Sequence, residues 1–574
     1  MITLRDMTTL RKVLCVCPAV VLGLACAADA AEPHTRPVRT RAGITLSRET
    51  TYVTGPLNDD GTVNYVAYLN RKYSKGVTPD NNAAVVLLEA LGPEMIAEEI
   101  RAETYKRLGM DPPPVKGDYF VDLDEYVEAL PAERKPQGVP GAEAAEKKRQ
   151  ALWQRIEAGG PDAAEAFEEL EQLPEPPETA ADIVEKRRQQ TMEGPWTAEQ
   201  YPILADWLAA NAGALDRIVT ASKLPRFYKP KVSTTEPPTI VNTLLPSYGT
   251  LRNAARALTN RAMLRWAEGD RRGAWADLMA VRRLGRRLGQ DSTLIGNLVG
   301  LALEALGNDA MQRLVIGGAI PAADVEYMLS QVKTLKPLPD IRQGVANERF
   351  LMLDTVMMLA RGGTVSDMIA MSAAGGSDLA SPSGGPRMKL DYDLMLRRFN
   401  EMWDWYLNCE RIEDPQERAE ALERFDEWLI QTKLQFPGEP LPTAGAIIGS
   451  VLSVKRRTEV VADLLISILM PSLDRAQVLW RRANADGAVT LGATALAAYR
   501  AEQDAWPAEL AALTPEYLEA VPRDPFTDEP LVYKRTDDGY VLYSLGSNRK
   551  DDGGVDEYDT GDIALRVPPA DEDE

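Results

Sequence analysis

Arg271, Arg272, Arg282, Arg283, Arg286 and Arg287 fall within residues 271–287 of this chain of 574 residues. At 100° per residue they project onto one side of a helix. A guanidinium fork matches a carboxylate or phosphate through two parallel hydrogen bonds, so such a side is able to dock an acidic partner, including the chain's own acidic regions. The plainer alternative is a solvated face whose arginines pair within the chain, since exposed ion pairs are common and contribute only ~0–1 kcal/mol each. Acidic groups gather at the other end: residues 537–574 hold twelve Asp and Glu against three Lys and Arg. The whole chain carries a formal charge of −21. That balance argues against nucleic acid as the main partner, because a phosphate backbone is bound by releasing counterions onto clustered Lys and Arg. The expected partner is protein.

Other reactive groups are scarce. The one histidine is His34, and the cysteines are Cys15, Cys17, Cys26 and Cys409. Arg5, Arg11 and Lys12 precede an uncharged run over 13–28 that ends in small residues, the layout of a secretory signal peptide. The run is shorter than the roughly 20 residues a membrane span needs. Cleavage is expected after Ala27 or Ala30, with lipoprotein processing at Cys26 as the alternative, and the mature chain is expected in the periplasm or outside the cell with no transmembrane span. Cys409 would then be the lone cysteine, which leaves no intramolecular disulfide. With His34 just past the leader, Ser-His-Asp and Cys-His catalysis and histidine-bound zinc lack an imidazole inside the fold. Asp and Glu remain as acid and base, so a carboxylate-dependent hydrolase is the enzyme alternative, although no pair stands out by spacing. No catalytic residue is assigned. Trp403, Trp405 and Tyr406 form either a ligand platform or core, and core is the expectation because aromatic burial dominates packing. Cys409, in the same helix, reads as a buried small hydrophobe. Asn81 and Asn82 read as capping residues before ligands.

The elements that hold these residues are mostly helical. Residues 44–70 read as a strand-like piece, a turn at Asn58 to Gly61 and a helix through Val63, Val66 and Leu69. Thr78 and Pro79 predict a helix start, and Gly92-Pro93 its end. The stretch NYVAYLNRKYSKGVTPDNNAAVVLLEALGP resembles the opening of exported bacterial proteins of unassigned function. Residues 131–177 turn to Ala, Glu, Pro and Lys, a spacer or exposed helical hairpin. Over 251–288 two apolar stripes flank Glu268-Gly269-Asp270, which predicts a helical hairpin resembling one tetratricopeptide-like repeat, without a second copy. Asp291-Ser292 is the expected cap of a buried helix over 294–306, interrupted by Glu304. Helices are expected at 322–332, 344–361, 392–409 and 416–434, and disorder in the Gly/Ser-rich 372–386.

At the C-terminus, residues 464–479 predict a helix kinked at Pro471, with further helical stretches at 489–501 and 507–513. Asp537-Asp538-Gly539 between the β-prone runs 531–535 and 540–545 predicts a hairpin. The order LMPSLDRAQ, AYRAEQDAWP, DPFTDEPLVYK, GYVLYSLGSN resembles the major pseudopilin of type II secretion systems over residues 463–567. The family's N-terminal Gly-Phe-Thr-Leu-x-Glu processing motif is absent ahead of this stretch, so it reads as a reused extracytoplasmic module. The resemblance implies a calcium ion in the loop after the last strand, here 545–562. Calcium takes six to eight oxygen ligands, and the implied set is Asn548, Asp551, Asp552, Asp562 and the Leu545 carbonyl. The alternative is a solvated acidic turn.

The expected fold is mainly α, built of helical hairpins, with a C-terminal α+β pseudopilin-like domain. The expected division is leader 1–30, α-rich region 31–130, acidic and Pro-rich spacer 131–180, helical domain 181–371, Gly/Ser-rich linker 372–387, helical region 388–462, pseudopilin-like domain 463–567 and acidic tail 568–574. The expected function is that of an exported, non-catalytic interaction or structural protein, with a hydrolase or an accessory component of a secretion system as alternatives.

Overall fold

The structure, a computed structural model, describes residues 38–41, 43–139, 141–157, 162–173, 178–243, 248–363, 389–434, 453–469, 473–555 and 561–568. The expected leader with Cys15, Cys17 and Cys26, then His34, the Gly/Ser-rich 372–387, Pro471 and the acidic residues Asp571 to Glu574 lie outside them. The described residues form 18 α-helices and, near the C-terminus, one three-stranded antiparallel sheet, so the chain is mainly α. No helix among them is long and apolar enough to cross a membrane.

The described chain opens with two short paired strands, β1 (Val38–Arg39) and β2 (Thr45–Leu46). Helix α1 (Tyr65–Tyr73) follows, started by Asn64, whose side chain accepts the Ala67 N–H. The helix start expected at Thr78-Pro79 is a 3-10 turn, Pro79–Asn81, and α2 (Ala83–Leu91) begins only after Asn82. Asn82 Oδ1 accepts the Ala84 N–H, its Nδ2 donates to the Tyr228 carbonyl, and Asn81 Oδ1 accepts the Thr78 N–H. Both asparagines therefore bond to backbone. After α3 (Glu98–Leu108) and α4 (Leu123–Ala129), the Ala/Glu-rich segment is a hairpin of α5 (Ala142–Glu157) and α6 (Asp162–Glu171), closed by Leu152, Ala166 and Leu170. Helices α7 (Ala180–Gln190), α8 (Pro202–Ala210) and α9 (Ala212–Lys223) lead into the centre of the molecule.

That centre is the expected hairpin. Helices α10 (Tyr248–Ala267) and α11 (Arg271–Leu288) meet through a turn in which Gly269 has φ +90°, a conformation costly for any residue with a Cβ. Asp270 then caps α11 by accepting the Gly273 N–H at 2.9 Å. Helix α12 (Leu294–Ile316) is longer than its apolar run and starts at Thr293, not at Asp291-Ser292: the Thr293 hydroxyl accepts the Gly296 N–H, while Asp291 accepts the Thr293 N–H. Glu304 interrupts the apolar surface of α12 yet is fully buried, because Arg282 Nη2 meets it at 2.7 Å and Arg286 binds its other oxygen. Helices α13 (Ala322–Lys333) and α14 (Arg342–Ala360) fall where the spacing predicts them.

The aromatic helix α15 (Tyr392–Cys409) is core on its Trp403 and Tyr406 side, both essentially without exposure. Trp405 lies at the edge against Phe425 and Trp428 of α16 (Pro415–Leu434). Cys409 is buried, with its thiol pKa raised by burial. The apolar stretch expected to be helical over 464–479 falls on the end of α17 (Val454–Leu469) and the start of α18 (Leu473–Gln503), and the kink expected at Pro471 lies outside the described residues. The separate stretch expected at 489–501 is the second half of α18, because buried apolar residues run from Ala476 and Ala483 through Val489, Ala493 and Leu496, and the helix continues through Gly487 and Gly492. The expected helix at 507–513 is only a 3-10 turn, Leu510–Leu513. Strands β3 (Val532–Arg535), β4 (Tyr540–Ser544) and β5 (Ile563–Val567) pair in that order, with Tyr533 opposite Leu542 and Leu542 opposite Leu565. The hairpin at 537–539 is present, whereas β5 is an element that the sequence reading left inside the acidic end.

One core runs from Ala83 in α2 to Leu565 in β5, through α9, α10, α11, α12, α13 and α18. A second joins β2 and α1 to α14, α15, α16, α17 and the start of α18. The boundary expected at 463 cuts through α17, and α18 packs on α12 and α13 as well as on β4 and β5.

Candidate functional site: a basic cleft at the end of the central hairpin

The arginines of α11 do not share one fate. Arg282 points inward to Glu304 and Arg286 follows it, while Arg271 and Arg272 reach Asp324 of α13. The expected single basic side is thus split, because the stripe of α11 that faces α12 contains Arg282. Arg283 and Arg287 are left at the surface, and there they wall a cavity of about 510 Å³ with Lys223, Arg286, Gln290, Gln331, Thr334, Lys336 and Pro339. Five cations line it and no carboxylate does.

Among the described residues, Lys223, Arg283, Arg287 and Lys336 have no carboxylate within ion-pair distance. Arg283 Nη2 lies 3.5 Å from the Thr334 hydroxyl, and Arg287 Nη1 donates to the Pro225 carbonyl at 3.3 Å. The Nε of Arg287 is buried without a partner. Burial first, then the like charges of Arg283 and Arg286, lower the Arg287 pKa, and burial lowers that of Arg283. Both guanidiniums keep their protons, since an arginine does not deprotonate in a protein. Burial is the main cause of both shifts, and for Arg287 the neighbouring arginines add to it; a bound anion would favour the charged forms.

A second cavity of about 310 Å³ adjoins, lined by Lys72, Tyr73, Lys75, Arg226, Gln290, Asp291, Pro339, Asp340 and Gln343 among others. Its two acids are already in use. Asp340 pairs with Arg342 at 2.6 Å, and Asp291 accepts the Tyr248 hydroxyl at 2.9 Å and the Thr293 N–H and hydroxyl. Lys72, Lys75 and Arg226 have no ion pair among the described residues. Near Asp291, burial lowers the Lys229 pKa to about 8 against the pull of Asp291, and burial lowers that of Lys231 too. Of this whole set the sequence reading singled out only the α11 arginines. Lys72 with Lys75, Lys223 with Arg226, and Lys336 come from three distant segments, and nothing in the sequence marks those segments as neighbours.

The loop expected to hold calcium follows β4. The Leu545 N–H donates to Asp524 at 2.8 Å, and the same buried carboxylate accepts Ser544 Oγ and the Phe526 N–H, an anchor that the sequence reading missed. Asn548 Nδ2 donates to Asp552 at 2.7 Å. Asp551 is held by Lys534 at 3.2 Å, by the Tyr543 hydroxyl and by the Gly553 N–H. Asp562 is fully buried, with Oδ2 accepting the Gly554 N–H and Oδ1 without a partner among the described residues. Burial, followed by the charges of Asp552 and Asp551, raises the Asp562 pKa. Asn548, Asp552 and Asp562 thus fit a calcium ion in kind, and Asp551, with its lysine, does not. Among the described residues no three carboxylates converge closely enough to hold a metal by themselves, and residues 556–560 of the loop lie outside that set.

Comparison with known proteins found no matching family model, no similar curated protein and no similar solved structure.

Proposed function

We propose that this protein works by binding, and that its helical body offers the basic cleft to an anionic partner. One observation carries the reading: four unpaired cations share one cavity without a carboxylate in a chain of net charge −21. Charge-assisted hydrogen bonds from paired guanidiniums select carboxylate, sulfate or phosphate, and a local positive field inside an acidic molecule steers such groups to one place. The test is retention on a carboxylate resin at low salt. The wild-type chain is expected to be held despite its negative charge, and Arg283→Glu with Arg287→Glu to flow through. Flow-through of the wild type would sink the reading.

The setting proposed for this activity is outside the cytoplasm, after cleavage at Ala27 or Ala30. The α10–α11 hairpin is read as one tetratricopeptide-like unit, and α18 with β3, β4 and β5 as a pseudopilin-like module, supported by the order of long helix and antiparallel hairpin. Within that module calcium is proposed beside Asp562, supported by its unpartnered buried oxygen; the ion would supply charge neutralisation and a fixed loop. Melting the full chain in calcium and in chelator tests this. A ligand of the folded form stabilises by about 2.7 kcal/mol at a hundredfold excess over Kd, so calcium should raise the midpoint in the wild type and not in Asp562→Asn. Equal midpoints in calcium and chelator would leave the loop a plain acidic turn.

A further inference from the structure

The two chambers of the cleft lie side by side, with Gln290 and Pro339 lining both and forming the saddle between them. Unpaired cations stand on either side of that saddle: Arg283, Arg287 and Lys336 in the first chamber, and Lys72, Lys75 and Arg226 in the second. A single small anion is too small for this arrangement. The chambers enclose about 510 and about 310 Å³, whereas a water molecule's share of the liquid is about 30 Å³ and one carboxylate or phosphate is only a few times larger.

Amides stand among the cations. Gln331 in the first chamber and Gln343 in the second make no side-chain hydrogen bond among the described residues. An amide side chain both donates and accepts, which suits a peptide backbone presenting N–H and C=O in turn, while phosphodiesters and sulfates offer acceptors alone. Single-stranded nucleic acid calls for open aromatic faces on which bases stack. Here Phe227 is buried, and Tyr73 has its hydroxyl bonded by Asn347 and Lys72 over its ring.

We propose that the cleft takes an extended acidic segment of a partner protein, which crosses the Gln290–Pro339 saddle and places Asp or Glu side chains in both chambers. Arginine clusters reading acidic motifs are an established mode of peptide recognition. The proposal deepens the anion-binding reading above and rests on it.

The test is fluorescence anisotropy on the full chain with a labelled peptide of alternating Glu and Gly, a labelled oligothymidylate of equal charge, and inorganic triphosphate as competitor. The peptide is expected to bind. Arg283→Glu with Arg287→Glu, and separately Lys72→Glu with Lys75→Glu, should each weaken it at least tenfold with unchanged circular dichroism melts. Loss with the first pair only, or displacement of the peptide by an equal concentration of triphosphate, would define a single-anion site and overturn the extended segment while anion binding stands. Tighter binding of the oligothymidylate than of the peptide would overturn the peptide as ligand. Binding of neither labelled probe, together with flow-through of the wild type on the carboxylate resin, would remove both readings.

Discussion

At the scale of the residue, the most deeply buried charges of the central hairpin are held by partners. Glu304 is buried against Arg282 and Arg286, and Asp277 against Arg261 and Arg265. Such pairs add little net stability, but leaving one member alone is costly. Asp354 of α14 has no ion pair among the described residues. Its Oδ2 accepts the Ile240 N–H at 2.6 Å, its Oδ1 has no partner, and burial pushes its pKa up to about 7. Because the folded value lies above the unfolded one, the stabilising contribution is complete below about pH 4 and is lost as pH rises through about 7. A shift of that size corresponds to ~4 kcal/mol. Asp354→Asn keeps the acceptor for Ile240 and cannot ionise, so it should be the more stable protein at pH 8 and equal to the wild type near pH 4. Urea midpoints at the two pH values check this, and a pH-independent difference would refute it.

At the scale of the element, the close approach of α11 and α12 decides which side of α11 is left for the cleft, and glycine sets the approach. A Cβ on Gly285 would sit 2.6 Å from the Gly300 carbonyl oxygen, and one on Gly300 would sit 2.5 Å from that of Gly285. Backbone cannot yield there as a flexible side chain would. Gly285→Ala should therefore destabilise by about 1–3 kcal/mol, as overpacking does. It should also weaken anion binding, because Arg286 and Arg287 follow it directly on the helix. Denaturation together with the resin assay reads both effects, and a variant of wild-type stability would show that the two helices separate easily.

At the scale of the whole molecule, the C-terminal module is not an appendage. Val489, Ala493 and Leu496 of α18 are buried in the same core as α11, α12 and α13. Trp480 of α18 donates to the Pro339 carbonyl at 2.8 Å, at the saddle of the cleft. Removing residues 463–574 would uncover the central hairpin's neighbours, so the remaining 1–462 chain is expected to lose its cooperative melt. A cooperatively folding 1–462 fragment would show instead that α18 only leans on a finished body. The module's partners are thus better sought by surface substitution than by truncation.

What the sequence by itself determined is what local interactions determine. Spacing and caps placed the α10–α11 hairpin, α13, α14, α15 and the turn at 537–539, because apolar periodicity, Gly269 and Asp270 act within a few residues of the backbone they shape. They misplaced the starts of α2 and α12, where Asn82 and Thr293 outcompeted equally suitable neighbours for the capping hydrogen bond. They missed β5, whose partner β4 lies across the loop. Arg283 and Arg287 were visible as basic residues but not as distinct from Arg282, since only the packing of α12 decides which stripe of α11 is buried. The cleft itself belongs to the tertiary structure alone: Lys72, Lys223, Arg226, Arg287 and Lys336 meet because α1, α9, α11 and the α13–α14 connection converge, and that convergence is set by burial of side chains far apart in sequence.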